Sequence, residues 1–275
     1  MLIVIVLVTG GVVLLFELGV GPFPDPEGCR ADVDGVEVDI STTQAENASL
    51  IAAIAVRRGL PARAASIALA TAFQESKLHN LDYGDADSVG LFQQRPSQGW
   101  GTRSQLLDPV YATNAFYDAL QKVDGYQDMR ITEAAQRVQR SGFPEAYEAH
   151  AEDARALASA LTGYSPGGRF SCVVHADPSH HGTAGKVTRA VTRAYGGLPV
   201  HRTGVRQDLT VAVGRSAAGN RLGWSVAQFL VAQAHRLHVT AVSFDGKRWT
   251  VGSASSKGWV RSGQTPRTRI NVSLG

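Results

Sequence analysis

Between Arg63 and Glu75 the chain runs AASIALATAFQ without a charge. Such a stretch suits a helix that is apolar on every side, which marks a helix enclosed by other elements rather than lying on a surface. The rest of the chain must therefore supply the enclosure. The run ends at Glu75, in the sequence FQESKLHN, so the first charge after it is a carboxylate that is buried or lines a cleft. A carboxylate there loses hydration, which is costly unless it is paired or its pKa rises. A raised carboxyl pKa is what a general acid at neutral pH needs.

The flanking sequence reads as helices. Thr43 and Glu46 are spaced as a capping box before Leu50, Ile51 and Ile54, and Gly59 ends that helix. Pro61 opens the uncharged one, since a first turn needs no amide donor there. Residues from His79 to Arg103 are rich in Gly, Asp, Ser and Pro, and a loop that long in a compact domain is usually functional. Helices resume at Asp108-Pro109 and run to about Val123, then from near Thr132 to Ser141-Gly142, and from Pro144 to Leu161. Residues 41–162 are thus expected to form an all-α domain with one long loop after Glu75. Past a linker at 163–178 the pattern changes. A helix over Ala184–Tyr195, the strand DLTVAV, the amphipathic helix LGWSVAQFLVAQAHRL, a hairpin around Asp245-Gly246 and the strand TRINVSL predict a smaller α+β domain over 179–275. The fold class expected for the whole is α+β.

Met1 to Val20 carry a single charge, Glu17, and read as a transmembrane anchor over 1–22. No cleavage site follows cleanly and no Lys or Arg precedes the run, so its orientation is not marked. The expectation is a single-pass protein of the cell membrane with both domains extracytoplasmic, joined to the anchor by a stalk over 23–40. Cys29 and Cys172 suit that compartment and predict a disulfide tying together the two ends of the helical domain. The net charge of +3 comes from scattered Lys and Arg. It does not argue for nucleic-acid binding, and it permits attraction to an acidic polymer such as a bacterial wall. Nothing indicates a cofactor, and protein partners are not identifiable.

Two neighbouring segments, ATAFQESKL and DSVGLFQQRP, together resemble the lysozyme-like lytic transglycosylase family, in which a helix ending in Glu-Ser precedes a Gly-Leu-hydrophobic-Gln segment. LLDPVYATNAFYDAL is similar to the family's Asp-Pro-x-x-x-x-Asn helix, and SGFPEAYEAH would supply its cleft tyrosine, Tyr147; the family's Ala-Tyr-Asn-Ala-Gly stretch is not visible. The resemblance covers about 41–162. It implies a peptidoglycan glycosidase with Glu75 as the catalytic acid. Gln93 and Gln94 would hydrogen-bond sugar substituents, and Phe92 and Trp100 would pack on pyranose faces or simply on the core. Ser76 would orient Glu75 or only help stop the helix, and Asn114 is a helix-packing group or a sugar ligand. An inverting hydrolase needs a second carboxylate, for which Asp82, Asp85 and Asp87 are candidates unless they are turn-formers. The transglycosylase route needs one carboxylate, with the muramic acid's own hydroxyl attacking. A non-catalytic wall-binding or envelope-assembly protein is the rival reading.

In VHRTGVRQDLTVAV the pattern His201-x-x-Gly204-x-x-x-Asp208 resembles the first metal motif of zinc D-alanyl-D-alanine carboxypeptidases. The family's final His-x-His is matched only by Arg269-Ile270-Asn271-Val272-Ser273. Two ligands are too few for catalytic zinc, so the resemblance implies a degenerate, metal-free peptidase-like module. His180-His181 or His235 would restore a ligand only if the fold brings them close; paired histidines in a loop are ordinarily just solvated.

Overall fold

The computed structural model describes residues 25–143, 145–203, 208–263 and 265–274. The expected anchor at 1–22 lies outside them. Among the described residues no helix is long and apolar enough to cross a membrane.

The chain is α+β. It begins with a hairpin, β1 (Gly28–Val33) and β2 (Val36–Ile40), turning at Asp34-Gly35 with positive φ at both residues, as hairpins with two-residue turns require. The stalk expected here is therefore corrected from residue 28 onward. Cys29, Ala31, Val33, Val38 and Ile40 face inward, and Arg30, Asp32, Glu37 and Asp39 form the wet side. The acidic character that suggested a stalk is one face of an alternating strand pair. The expected linker is corrected too, because β3 (Phe170–Val173) pairs antiparallel with β1 in a sheet of order β2-β1-β3. Cys29 and Cys172 stand opposite each other across that pairing and are joined by the predicted disulfide, S–S 2.08 Å.

Among the described residues, six helices follow β2 before β3. These are α1 (Thr42–Arg57), α2 (Ala62–Ser76), α3 (Arg103–Leu106), α4 (Pro109–Leu120), α5 (Ile131–Gln139) and α6 (Ala151–Leu161), with a 3-10 turn at Ala146–His150. The capping box of α1 is Ser41 with Gln44, two residues earlier than the Thr43–Glu46 spacing suggested. Helix α2 is buried at every position from Ala64 to Ala72, enclosed by α1, α4, α5 and α6, as its lack of charge demands. Left-handed Lys77 stops it, and the Leu78 amide donates back to the Ala72 carbonyl at 3.0 Å.

The C-terminal half adds α7 (Ala184–Tyr195), β4 (Val200–Thr203), β5 (Asp208–Ala212), α8 (Ala217–Ala232), the short α9 (Ala234–Leu237), β6 (Val239–Phe244), β7 (Lys247–Thr250), β8 (Val260–Arg261) and β9 (Arg269–Leu274). All six strands form one antiparallel sheet in the order β4-β5-β9-β6-β7-β8. Helix α8 lies between this sheet and the helical half, touching β6 and β9 on one side and α1 and α6 on the other. Its polar side chains serve the same junction. Ser225 donates to the Leu161 carbonyl and Gln228 to that of Ala160, both at 2.6 Å, which satisfies carbonyls left over at the end of α6. Gly163 allows the close approach: a Cβ there would sit 2.0 Å from the Arg221 carbonyl oxygen. One apolar core thus runs from Ile51 and Leu157 through Trp224 and Phe229 to Val242 and Val272. The two separate cores expected of two domains are a single one.

Candidate active site

Glu75 sits in the last turn of α2, and four segments converge on it. Ser76, beside it, points into the protein and donates to the carbonyls of Leu91 at 2.7 Å and Ala72 at 3.0 Å. It therefore staples the long loop to the end of α2, its hydroxyl going to backbone carbonyls rather than to the Glu75 carboxylate. The loop itself is tightened by an antiparallel bridge between Val89 and Gln94 around Gly90, where a Cβ would meet the Leu106 carbonyl at 2.4 Å. From α5, Gln139 donates to the Phe92 carbonyl at 2.8 Å. From the 3-10 turn, Tyr147 donates its hydroxyl to Glu75 Oε1 at 2.7 Å. His150, one helical turn on, stacks on Phe73 and meets Gln74 Oε1 at 3.2 Å.

Electrostatics follow from this enclosure. Burial pushes the Glu75 carboxyl above its ordinary value, opposed by hydrogen bonding from Tyr147 and then Gln139. Burial, followed by the charge of Glu75, raises the Tyr147 phenol far above its own, so Tyr147 stays a neutral donor. Burial also lowers the His150 imidazole. The result is a half-buried carboxyl raised by burial, with hydrogen bonds from Tyr147 and Gln139 and no cation among its shifting influences; a raised carboxyl is the kind of group general-acid chemistry uses.

The remaining predicted residues are placed as follows. Phe92 is fully buried and stacks on Phe116 at 4.7 Å, so it is a core residue with no face for a sugar. Gln94 is 2% exposed and donates to the Ala112 carbonyl at 3.3 Å, which removes it from a binding role as well. Gln93 is half-buried and staples its own loop through the Tyr83 and Gly90 carbonyls. Trp100 is half-buried and lines a cleft of about 860 Å3 that also includes Lys122, Arg137 and Gln139; Glu75 is not on its wall, but Gln139 belongs to both places. Asn114 accepts from Arg57 and Arg58 and so packs α4 on α1. Asp87 accepts from Arg95 Nε at 2.8 Å and from the Ser97 amide and hydroxyl, and these bonds hold its carboxyl down at about 2. It caps the short 3-10 turn Pro96–Gln98. Asp82 and Asp85 are exposed, and their backbone carbonyls accept hydrogen bonds from Arg103 and Ser88 respectively.

In the C-terminal half, His201 lies exposed on β4 and Asp208 opens β5, where its Oδ1 accepts the Leu274 amide at 3.1 Å. Asp208 thus satisfies the end of β9. Gly204 of that motif is outside the described residues. Gln139 and His150 were missed by the motif reading. Nothing in sequence singles out Gln139, whereas His150 stands three residues after Tyr147, a helical spacing that hinted at a shared face.

What fold and site define together is an α+β protein with a protonatable carboxyl at the end of an enclosed helix. The family described as "VldE, C-terminal domain" matches residues 169–268, less than half of the chain. The matched stretch starts just before β3 and stops just before β9, so β3 is included although it pairs with β1. No curated protein matches the chain.

Proposed function

We propose that the protein is a membrane-tethered, extracytoplasmic peptidoglycan glycosidase of the lysozyme-like lytic transglycosylase type, cleaving the bond between muramic acid and glucosamine units. The observation that carries this reading is the Tyr147–Glu75 hydrogen bond of 2.7 Å at a half-buried helix end whose carboxyl is raised by burial. Protonated Glu75 gives its proton to the glycosidic oxygen as that bond breaks. The resulting carboxylate then takes the proton of the muramic acid's own hydroxyl as that oxygen bonds to the anomeric carbon, which regenerates the acid and leaves an anhydro product. Tyr147 steadies the carboxylate between these steps.

Engagement of Asp87 as a turn cap at about 2 favours this single-carboxylate route over the hydrolytic one. A hydrolase would have to rely on Asp82 or Asp85. The C-terminal half serves in this reading as a support and wall-facing surface.

The test is mass spectrometry of purified peptidoglycan incubated with the detergent-solubilised full chain and with Glu75→Gln. Anhydro-muramyl products made by the wild type and absent with the variant support the proposal. Reducing-end products redirect it to a muramidase. Wall binding without release by either protein overturns it in favour of a non-catalytic envelope component.

A further inference from the structure

The cleft of about 860 Å3 that Trp100 lines meets the Glu75 site at Gln139. Its size is that of a ligand site rather than of a packing flaw. Three parts of the helical half build it: the end of the 3-10 turn Pro96–Gln98 with the residues that follow, the end of α4 with the turn beyond it, and the end of α5. The bonds that Asp87 accepts from Arg95 and Ser97 hold the first of these in place. Tyr111 of α4 donates its hydroxyl to the Trp100 carbonyl at 3.3 Å and ties that wall to the second.

Charge on the walls is one-sided. Lys122, Arg137 and Arg140 are set against a single acid, Asp124. Arg137 is engaged by Glu133 at 2.9 Å, one turn back along α5. Lys122 and Arg140 are exposed and, among the described residues, their side chains have no ion pair or hydrogen bond. Arg140 also ends α5 in a left-handed conformation, φ 53°, where a helix ordinarily places glycine. The chain accepts that backbone cost and keeps a guanidinium at the cleft. None of these cations shifts the Glu75 carboxyl, so they do not serve its protonation.

The rest of the wall suits a sugar. Trp100 is half-buried, packed on the apolar core and lining the cleft, as an aromatic that takes a pyranose ring would be. Gln98 adds an amide that can both donate and accept. Two unpaired cations beside an aromatic wall call for a saccharide that bears carboxylates, since a neutral one would leave both charges without a partner.

We infer that this cleft is a specificity site adjoining Glu75, in which Lys122 and Arg140 bind a carboxylate-bearing substituent of the saccharide while Trp100 packs on one of its rings. The inference rests on the glycosidase reading for its substrate and adds that the substrate is chosen by negative charge. Two sources of the carboxylate fit: the lactyl group of a bare muramic acid unit, and a peptide carried on that group.

Calorimetric titration of the detergent-solubilised full chain carrying Glu75→Gln, which prevents turnover, tests this with three probes of equal ring number: bare muramyl glycan, peptide-bearing muramyl glycan and a neutral N-acetylglucosamine oligomer. At least the peptide-bearing probe should bind roughly tenfold tighter than the neutral one, and the difference should shrink as salt rises. Equal preference for both muramyl probes assigns the lactyl carboxylate; preference for the peptide-bearing probe assigns the peptide. Adding Lys122→Ala/Arg140→Gly, with glycine chosen to suit the left-handed backbone, should abolish the preference. The same loss of charge on α7, Lys186→Ala/Arg189→Ala, should leave it intact. Thermal melts matched to the parent show that each variant folds. Equal affinity for neutral and anionic probes, a preference that survives Lys122→Ala/Arg140→Gly, or no binding of any probe overturns the inference. Glycan release by the wild type is measured separately, so its absence would overturn the glycosidase reading while leaving the binding result to stand by itself.

Discussion

Replacing both cysteines by alanine should cost the fold more than any other change that leaves its core volume nearly intact. The disulfide closes a loop with a sequence separation of 143. The loop-entropy expression for a closure of that length gives about 5 kcal/mol at 25 °C, with measured bridges more often contributing about 2–4. Strands β1 and β3 remain paired in register without it, so the native sheet keeps its hydrogen bonds and the loss arises in the unfolded chain. Against a total stability of about 5–15 kcal/mol such a loss leaves a marginal protein. Urea unfolding of the oxidised wild type and of the Cys29→Ala/Cys172→Ala variant measures it. The midpoint should fall by an amount worth about 2–5 kcal/mol, and the slope should rise because the unlinked chain unfolds to a more open state. A loss below about 1 kcal/mol with an unchanged slope would refute the reasoning, since the bridge would then not be restricting the denatured ensemble.

Four further outcomes are expected. Glu75, raised by burial, contributes stability in full only below its unfolded pKa and loses it as pH rises through the folded value. Glu75→Gln should therefore melt higher than the wild type at neutral pH and alike near pH 3; equal melting at both pH values would contradict the burial argument. Tyr147→Phe removes a bond that favours the carboxylate, so the pH at which activity declines on the alkaline side should move upward, visible in a pH–rate profile. Ser76→Ala should cost about 1–2 kcal/mol by freeing the Leu91 carbonyl, and chemical unfolding should register it. Asp87→Asn should retain glycan cleavage, while its melting deficit, present at pH 7, should shrink as pH falls toward about 2, because a depressed carboxyl loses its stabilising effect on protonation.

Helix α2 was legible because an uncharged run has only one comfortable location, and the disulfide because the chain has just two cysteines to pair. The hairpin β1–β2 was not, since five of the thirteen residues from Gly28 to Ile40 are acidic or basic and its partner β3 lies far along the chain. Phe92 shows a different limit. An aromatic in the long loop after Glu75 has the same letter whether it faces a ligand or Phe116, and only the packing of α4 decides. Tyr147 was reached through a family pattern, whereas Gln139 became visible only when α5 set it against the Phe92 carbonyl and the Glu75 carboxyl. The shared core escaped notice because α8 reads as an ordinary amphipathic helix. Its second buried side is set by α1 and α6.

Because α8 is covered from both halves, the chain is not a pair of exchangeable parts. Cutting it after Leu161 would strip α1 and α6 of the face that α8 covers and leave the Leu161 and Ala160 carbonyls without their partners Ser225 and Gln228. A gene fragment encoding only the helical half would carry every residue around Glu75 and still yield a sticky, poorly folded product. A substitution on either side of that seam is therefore felt in both halves, each constrained by the surface the other presents.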